Sequence, residues 1–230
     1  MSTSKQSSKK IDAKQYWDEV YQNKDDKTLG WYQEIAQPSL DLFKEFKIRK
    51  SRKILIVGSG TTRFVDNLLS KGYKNIIATD ISKIALMNLE NRVASHQHKN
   101  LPKRISFIED DLRNPKSLTK LEKIDVWHDR AVFHYFTDKE EQASYLKLLK
   151  SLVKKKGYVL IAVYNKKSPK VSTGLDIINY DATEISRVLG PDFKLMKTHD
   201  YDFKQPSGNV RHYVYTMFKR INVTVAPLKV

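Results

Sequence analysis

The chain has 230 residues, which is enough to bury a substantial core as one domain, and its 42 basic and 26 acidic side chains leave a formal net charge of +16. The absence of cysteine excludes disulfide bonds, thiolate metal sites and a cysteine nucleophile; it is compatible with a reducing cytosol, so we expect a cytoplasmic location. No apolar run approaches the roughly 18 residues that a membrane-spanning helix needs, so no membrane association is predicted.

The positive charge is spread along the chain, apart from a Ser/Lys-rich stretch in residues 1–12. A basic surface attracts polyanions, so we expect weak affinity for nucleic acid or for an acidic protein. The even distribution itself favours solvated lysine-rich faces. Residues 1–12 lack an apolar stretch and an amphipathic pattern, and we interpret them as a disordered basic tail rather than a targeting segment.

Aromatic residues are concentrated ahead of the first strand. Residues 13–23 have the spacing of an amphipathic helix with an aromatic stripe. A short aromatic segment follows at residues 29–33, and Pro38 then opens a second helix. Because these segments precede the sheet, we expect them to lie against it or over it.

The chain is organised around residues 53–62, which read Lys-Ile-Leu-Ile-Val-Gly-Ser-Gly-Thr-Thr. Four consecutive aliphatic residues indicate a parallel strand that is buried on both faces. Gly58 and Gly60 then allow a tight turn and a close approach of the backbone to a ligand. Residues 63–71 open a helix whose N-terminus is electropositive. The pattern therefore predicts a ligand-binding strand, turn and helix.

A second apolar strand at residues 76–79 ends in Asp80. An acid in this place accepts hydrogen bonds from ribose hydroxyls in nucleotide-binding α/β sheets. The dinucleotide motif needs a third glycine where this chain has Arg63, so the spacing favours a ribose-bearing ligand without a pyrophosphate. On the glycines alone, an ordinary strand-to-helix turn stays open as the alternative.

Strands and helices continue to alternate beyond Asp80. Ser82 is a good N-cap for a helix to about Ser95, and a capping box at Thr137 and Glu140 predicts a helix through Leu149. Further strands are predicted at residues 104–108, 124–127 and 157–164.

The alternation indicates a parallel, doubly wound sheet with ligands at the carboxyl ends of its strands. Asp181 and Glu184 cap a later helix, and residues 193–203 and 210–218 are predicted to form an antiparallel hairpin at one edge. Polar residues collect at the carboxyl ends of the predicted parallel strands: Asp80, Asp111, His128, Asp129 and Asn165.

Together these features resemble the class I S-adenosylmethionine-dependent methyltransferases over residues 16–220. Residues 127–136, Trp-His-Asp-Arg-Ala-Val-Phe-His-Tyr-Phe, look like a set of uncharacterised bacterial methyltransferases. Other motifs are similar to the branch with lysine methyltransferases of translation elongation factor and citrate synthase: Tyr16-Trp17, Gly30-Trp31-Tyr32, Gly58-Ser59-Gly60 and Asp80-Ile81-Ser82.

The resemblance implies a Rossmann-like, doubly wound seven-stranded α/β sheet, mostly parallel with a C-terminal antiparallel hairpin. It also implies S-adenosyl-L-methionine as the cofactor. The chain would divide into a disordered basic tail, an N-terminal helical lid or substrate segment, a methyltransferase domain and a C-terminal tail, at residues 1–12, 13–50, 51–220 and 221–230.

Cofactor contacts follow from the same resemblance. Asp80 would hold the ribose hydroxyls, Asp111 would accept from the adenine amine, and His128 or Asp129 would face the methionyl ammonium. Thr62 replaces the third glycine that is common in the family's first motif. The complete set of implied cofactor-binding residues is Trp31, Gly58, Ser59, Gly60, Asp80, Ile81, Asp111, Leu112 and His128.

Methyl transfer from a sulfonium is an in-line displacement that needs alignment and exclusion of water, but no metal and no covalent catalyst. An amine acceptor must first lose its proton. The candidate catalytic residues are Asp129, His134 and Tyr164. Because side chains alternate along a strand, His128 and Arg130 should point one way and Asp129 the other. We expect Asp129 to face the site, where it would contact the methionyl ammonium or orient the acceptor. The alternative is that Asp129 and Arg130 cap the next helix and pair with each other.

Several acceptors and functions stay open at this stage. The acceptor would be a nitrogen, as in a protein lysine, or a sulfur, on a protein, a small molecule or RNA. An NAD-dependent oxidoreductase and a non-catalytic RNA-binding module are the alternatives from other classes. No metal site is predicted, because His96 and His98 lack a third ligand nearby.

Overall fold

The computed structural model describes residues 12–95 and 103–221. The predicted tails, except for residues 12 and 221, lie outside the described residues, as does the loop with His96 and His98. Within the described parts, none of the helices combines the length and the apolar character needed to cross a membrane.

The core is a seven-stranded sheet with the strand order β3-β2-β1-β4-β5-β9-β8. Strands β1 to β5 run parallel, and β9 pairs antiparallel with both β5 and β8. This confirms the predicted doubly wound sheet with its C-terminal hairpin. The strands are β1 (Ile54–Val57), β2 (Ile76–Asp80), β3 (Ile105–Glu109), β4 (Ile124–Arg130), β5 (Val153–Tyr164), β8 (Phe193–Lys204) and β9 (Val210–Arg220).

Helices cover both faces of the sheet. Helices α2, α3 and α4 pack on one face and α5 and α6 on the other, while α1 lies beside α4. The helices are α1 (Ala13–Asn23), α2 (Gln37–Glu45), α3 (Phe64–Ser70), α4 (Lys83–Ser95), α5 (Lys139–Leu152) and α6 (Ala182–Leu189), and short 3-10 helices span Asp26–Thr28, Leu118–Lys120 and Phe133–Tyr135.

Strand β1 lies at the centre because all four of its aliphatic side chains are buried. Burying each one contributes about 1.5–3 kcal/mol. Ile54 pairs with Ile76 of β2 on one side and with Val126 of β4 on the other. This register brings the carboxyl ends of the three strands together, which positions the turn at Gly58 beside Asp80.

Two predicted boundaries are wrong in informative ways. Strand β4 does not end at Trp127, because His128 continues the ladder between Ile56 of β1 and Leu160 of β5. The N-cap of α5 is Asp138 rather than Thr137, since the Asp138 carboxylate accepts from the backbone N–H of Glu140 at 2.7 Å.

One small element was not predicted. Strands β6 (Val171–Ser172) and β7 (Leu175–Asp176) form a two-stranded hairpin between β5 and α6, with Thr173 and Gly174 at its tip. Both tip residues have positive φ. We call Val171–Asp176 the small hairpin; it reaches the end of the sheet where the polar residues collect.

Candidate active site

A cavity of about 300 Å³ opens at the carboxyl ends of β1, β2, β3 and β4. Its floor is the turn after β1, and its walls come from the N-terminal aromatic residues, the turn after β4 and the small hairpin. Of the implied cofactor residues, all line this cavity except Gly60, which Tyr21 covers. The structure therefore brings these predicted residues together around one cavity.

The turn after β1 depends on two glycines with left-handed backbones, at φ 50° for Gly58 and φ 48° for Gly60. A Cβ on Gly58 would lie 2.3 Å from Cγ2 of Val132, and one on Gly60 would lie 2.2 Å from Oη of Tyr21. Both conformation and space therefore demand glycine here. The absence of side chains lets Val132 and Tyr21 pack directly against the turn.

Asp80 joins the end of β2 to that turn. Its carboxylate accepts from the backbone N–H of Gly60 at 2.7 Å and from that of Ser82 at 2.8 Å. Burial raises the pKa of Asp80 to about 6, although these backbone donors counteract the effect. At neutral pH the side chain is therefore mostly ionised and accepts hydrogen bonds.

Several buried polar atoms around the cavity have no hydrogen-bond partner among the described residues. They are Ser59 Oγ, Thr79 Oγ1, His128 Nδ1 and Arg130 Nη2. Leaving one such atom unsatisfied costs about 1–3 kcal/mol, so the cavity is built for a polar ligand. Ribose hydroxyls and an amino-acid moiety supply such partners, and S-adenosylmethionine therefore fits the residues present.

His128 presents a neutral imidazole to the cavity. Its Nε2 lies 2.9 Å from Ser39 Oγ, and its ring stacks on Phe64 with centroids 4.2 Å apart. Burial, and secondly the charge of Arg130, lower the pKa of His128 to about 3. A neutral ring can accept a hydrogen bond from an ammonium group.

Asp111 lies at the far end of the cavity, after β3. Its carboxylate receives several hydrogen bonds from Arg113, the shortest at 2.7 Å. The neighbouring Asp110 accepts from the backbone N–H groups of Lys116 and Leu118, which fixes the loop. Asp111 retains acceptor capacity toward the cavity, but part of it is used by Arg113.

Aromatic side chains cover the opposite end, toward β4. The Trp17 ring meets those of Trp31 and Tyr135 edge-on, with centroids 5.7 Å and 5.2 Å apart. Tyr135 also donates through its hydroxyl to Ser172 of the small hairpin at 2.7 Å. We call Trp17, Trp31 and Tyr135 the aromatic wall.

Trp31 is held in this wall through main-chain contacts with distant residues. Its carbonyl accepts from Arg130 Nη1 at 2.8 Å, and the carbonyl of Gly30 accepts from Gln205 Nε2 at 2.7 Å. These contacts join the N-terminal aromatic segment to β4 and to the end of β8.

Helix α1 is fastened over the cavity at both of its sides. The Asp18 carboxylate accepts from Ser82 Oγ at 2.6 Å, where α4 begins, and Lys14 pairs with Glu109 at 2.8 Å. Toward the small hairpin, the Tyr16 hydroxyl donates to the Thr173 carbonyl. The helix therefore lies across the cavity, where the sequence predicted a covering segment.

Asp129 does not face the cavity, contrary to our expectation. The predicted alternation holds, since His128 and Arg130 line the cavity and Asp129 is fully buried on the other face. Its carboxylate accepts from the Tyr145 hydroxyl at 2.7 Å and from the backbone N–H of Phe133 at 3.1 Å. Asp129 thus caps the 3-10 helix after β4, and burial raises its pKa to about 7.

His134 and Tyr164 also lie outside the cavity lining, in the layer behind Tyr135. The His134 ring is 4.7 Å from that of Tyr135, and its Nδ1 accepts from the backbone N–H of Tyr164 at 3.2 Å. Burial, and secondly the charge of Arg130, lower the pKa of His134 to about 3. Both side chains support the wall rather than reach the cavity.

Several lining residues were missed as parts of the site by sequence reasoning, among them Arg130, Tyr135 and Asp176. The signal for Arg130 was present, because it lies two positions after His128 on the same strand and must share its face. Tyr135 had no comparable signal, since a 3-10 helix separates it from the strand.

The sheet order, the glycine turn and the acid after β2 define the Rossmann-like fold of the class I methyltransferases. The model of the family described as "Methyltransferase domain" matches residues 48–204, and the chain belongs to this family. It is therefore an S-adenosylmethionine-dependent methyltransferase.

Two known proteins with sequences similar to this chain are named as methyltransferases. EEF1A lysine methyltransferase 2 of Danio rerio is 24% identical over 216 residues, which cover 87% of this chain and 84% of the relative. The eEF1A lysine and N-terminal methyltransferase of Bos taurus is 30% identical over 106 residues, which cover 46% of this chain and only 14% of that longer protein.

A solved SAM-dependent methyltransferase from Anabaena variabilis shares the fold, with a TM-score of 0.68 at 16% identity and coverage of 90% of this chain and 93% of its own. These similarities favour neither the NAD-dependent oxidoreductase nor the RNA-binding module.

Proposed function

We propose that this enzyme transfers the methyl group to a nitrogen acceptor, an amine such as the side chain of a protein lysine. The observation that carries the proposal is the aromatic wall together with Asp176, an exposed carboxylate that lines the cavity from the small hairpin. Aromatic faces and a carboxylate attract an ammonium group, whereas a thiol needs neither. The name of the zebrafish relative, a lysine methyltransferase, agrees with this choice.

The cofactor would be held by the residues that line the floor of the cavity. Asp80 would accept from the ribose hydroxyls, Ile81 and Leu112 would flank the adenine, and Asp111 would accept from its amine. Gly58 and Ser59 would pack against the ribose and aminoacyl portions, with Gly60 shaping the turn beneath them, and His128 would face the ammonium. When bound, the cofactor supplies an electrophilic methyl group on a sulfonium.

Helix α1 and Trp31 would act as the lid of this site. They belong to residues 13–50, for which the sequence predicts a helical lid or substrate segment. Closure of the lid excludes water, which strengthens every electrostatic interaction inside the cavity. A cytoplasmic location stays an expectation that rests on the absence of cysteine.

Deprotonation of the amine would depend on its surroundings rather than on a dedicated base. His128 and His134 are poor bases because burial keeps both pKa values near 3. Desolvation inside the closed cavity disfavours the ammonium form, so an amine that enters would release its proton to water. Asp176 would act earlier, by attracting the charged amine to the entrance.

The test is labelling of a cell lysate with S-adenosylmethionine that carries an isotopically labelled methyl group, followed by mass spectrometry. The proposal expects label on protein amines, lost with Asp80→Ala and reduced several-fold with Asp176→Asn. Asp176→Asn should leave the affinity for S-adenosylhomocysteine unchanged, which separates acceptor binding from cofactor binding. Label confined to thiols, to small-molecule oxygens or to RNA would contradict the amine assignment.

A further inference from the structure

Arg130 is a cation at the end of β4, and no acid among the described residues forms an ion pair with it. Its guanidinium carbon lies 5.2 Å and 5.0 Å from the ring centroids of Phe203 and Tyr213, two rings that meet edge-on. It extends from β4 on the same face as His128 and contributes to the lining of the cavity.

The hydrogen bonds of Arg130 use only part of its donor capacity. Nε donates to the Tyr215 hydroxyl at 3.0 Å, and Nη1 donates to the Trp31 carbonyl at 2.8 Å. Nη2 is buried and has no partner among the described residues. Because a guanidinium carries five N–H donors, one on Nη1 and both on Nη2 remain. These unused donors, on Nη1 and Nη2, are the part of the guanidinium left for a ligand.

The charge of Arg130 is also uncompensated within the described parts of the chain. No carboxylate there lies within ion-pair distance of it, whereas Arg63, Arg92 and Arg113, also partly buried, each pair with an acid. An arginine cannot release its proton in a protein, so the site carries a fixed positive charge. A buried charge is costly unless an opposite charge meets it.

We propose that Arg130 is the carboxylate receptor of this cavity, which binds a carboxylate through its Nη1 and Nη2 edge. A planar carboxylate matches this edge in the two-point geometry typical of arginine pairs. Two molecules could bring the carboxylate: the methionyl part of the cofactor, or an acceptor with a carboxylate near its amine. The inference rests on the proposed function for the identity of these two sources, but the receptor itself follows from the contacts of Arg130.

The first arm tests the cofactor as the source. Calorimetry compares S-adenosylhomocysteine with its decarboxylated analogue, which lacks only the carboxylate, for the wild type, Arg130→Met and Arg130→Lys. We expect the wild type to prefer S-adenosylhomocysteine by tenfold or more, Arg130→Met to lose this preference and Arg130→Lys to keep part of it. Because the ratio is measured within one protein, partial misfolding of a variant does not affect it.

Tyr215→Phe is the matched control. It removes the partner of Arg130 Nε and keeps the guanidinium charge. If Arg130 acted only by holding Trp31 and Tyr215 in place, the two ligands would weaken equally in Arg130→Met. A carboxylate receptor predicts instead that Tyr215→Phe keeps the full preference while Arg130→Met loses it.

The second arm tests the acceptor as the source, with acetate as the probe. Acetate is titrated into protein saturated with S-adenosylhomocysteine and followed by nuclear magnetic resonance at the Trp31 and Tyr215 amides. Two results together assign the carboxylate to the acceptor. Acetate gives a saturable shift in the wild type that is lost in Arg130→Met, and the preference for S-adenosylhomocysteine over its decarboxylated analogue is the same in both proteins.

The proposal is overturned if the ligand preference is the same in all variants and acetate gives no saturable shift that depends on Arg130. Failure of the proposed function would give different experimental results. If the wild type binds no S-adenosylhomocysteine, the cofactor assignment fails, and acetate titrated into the free protein still tests Arg130. If thiols are labelled rather than amines, the Arg130 result is unaffected.

Discussion

The carboxylate of Asp80 accepts a hydrogen bond from the backbone N–H of Gly60 at 2.7 Å, across 20 positions of the chain. The acid after β2 therefore also holds the glycine turn after β1 in place. With the proposed ribose contact, binding and local order would depend on the same side chain.

Asp80→Ala is expected to weaken the binding of S-adenosylhomocysteine by at least tenfold in calorimetry. A hydrogen bond to a charged group contributes about 1.5–3 kcal/mol, and the variant loses those to the ribose along with the one that orders the turn. Asp176→Asn is the control, because this carboxylate lies at the acceptor end. Equal affinities for Asp80→Ala and the wild type, with both folded, would remove Asp80 from the cofactor site.

Gly60→Ala is expected to abolish most cofactor affinity. Gly208→Ala should separate the effect of backbone strain from that of the added Cβ. Both glycines have positive φ, so alanine costs about 1 kcal/mol of strain at either position. The added Cβ meets Tyr21 Oη at 2.2 Å in the first case and nothing within 4 Å in the second. In denaturant unfolding, Gly208→Ala should lose as much stability as Gly60→Ala or less. In calorimetry, Gly208→Ala should bind the cofactor normally. Normal binding by Gly60→Ala would show that the turn tolerates displacement of Tyr21.

Asp129 should make the stability of the protein depend on pH. Burial raises its pKa in the folded state to about 7, above the value of about 4 expected for an unfolded chain. Between these values the folded state binds more protons, so its contribution is fully present below about pH 4 and is lost as the pH rises through 7. Asp129→Asn should flatten this part of the profile in denaturant unfolding. Asp80 titrates in the same direction, so Asp80→Asn serves as the comparison.

The same variant separates structure from catalysis. Because Asp129 accepts from Tyr145 behind the cavity, Asp129→Asn should keep turnover per folded molecule within a few-fold of the wild type. A tenfold or larger loss of turnover at full folding would mean that Asp129 acts on the reaction through the 3-10 helix it caps.

Asp18 is expected to control the position of helix α1. It joins the helix to Ser82 at 2.6 Å, so Asp18→Ala should raise the hydrogen exchange of residues 13–23 in the free protein and weaken cofactor binding several-fold. Glu109→Gln is the control, since its ion pair with Lys14 is largely exposed and contributes about 0–1 kcal/mol. If cofactor binding leaves the exchange of residues 13–23 unchanged in the wild type, α1 is not a lid.

Local patterns were sufficient for the floor of the cavity, because strand, glycine turn and acid are short-range features of the chain. Asp129 shows the limit of such patterns. Alternation predicts that Asp129 and His128 lie on opposite faces of the sheet, but it does not say which face meets the cavity. That choice depends on the pairing of His128 with Ile56 and on the contact between His128 and Ser39. Those contacts join positions that are far apart in sequence. The small hairpin has two-residue strands, which are too short to carry a period.

The backbone contacts that hold Trp31 also bear on the order in which the site is completed. The segment is fastened by Arg130 and by Gln205, and the second of these contacts spans 175 positions. Gln205 follows the other residues of the site in the chain, so during synthesis this second anchor is the last part of the site to leave the ribosome. Full anchoring of Trp31 therefore requires that the C-terminal hairpin has joined the sheet.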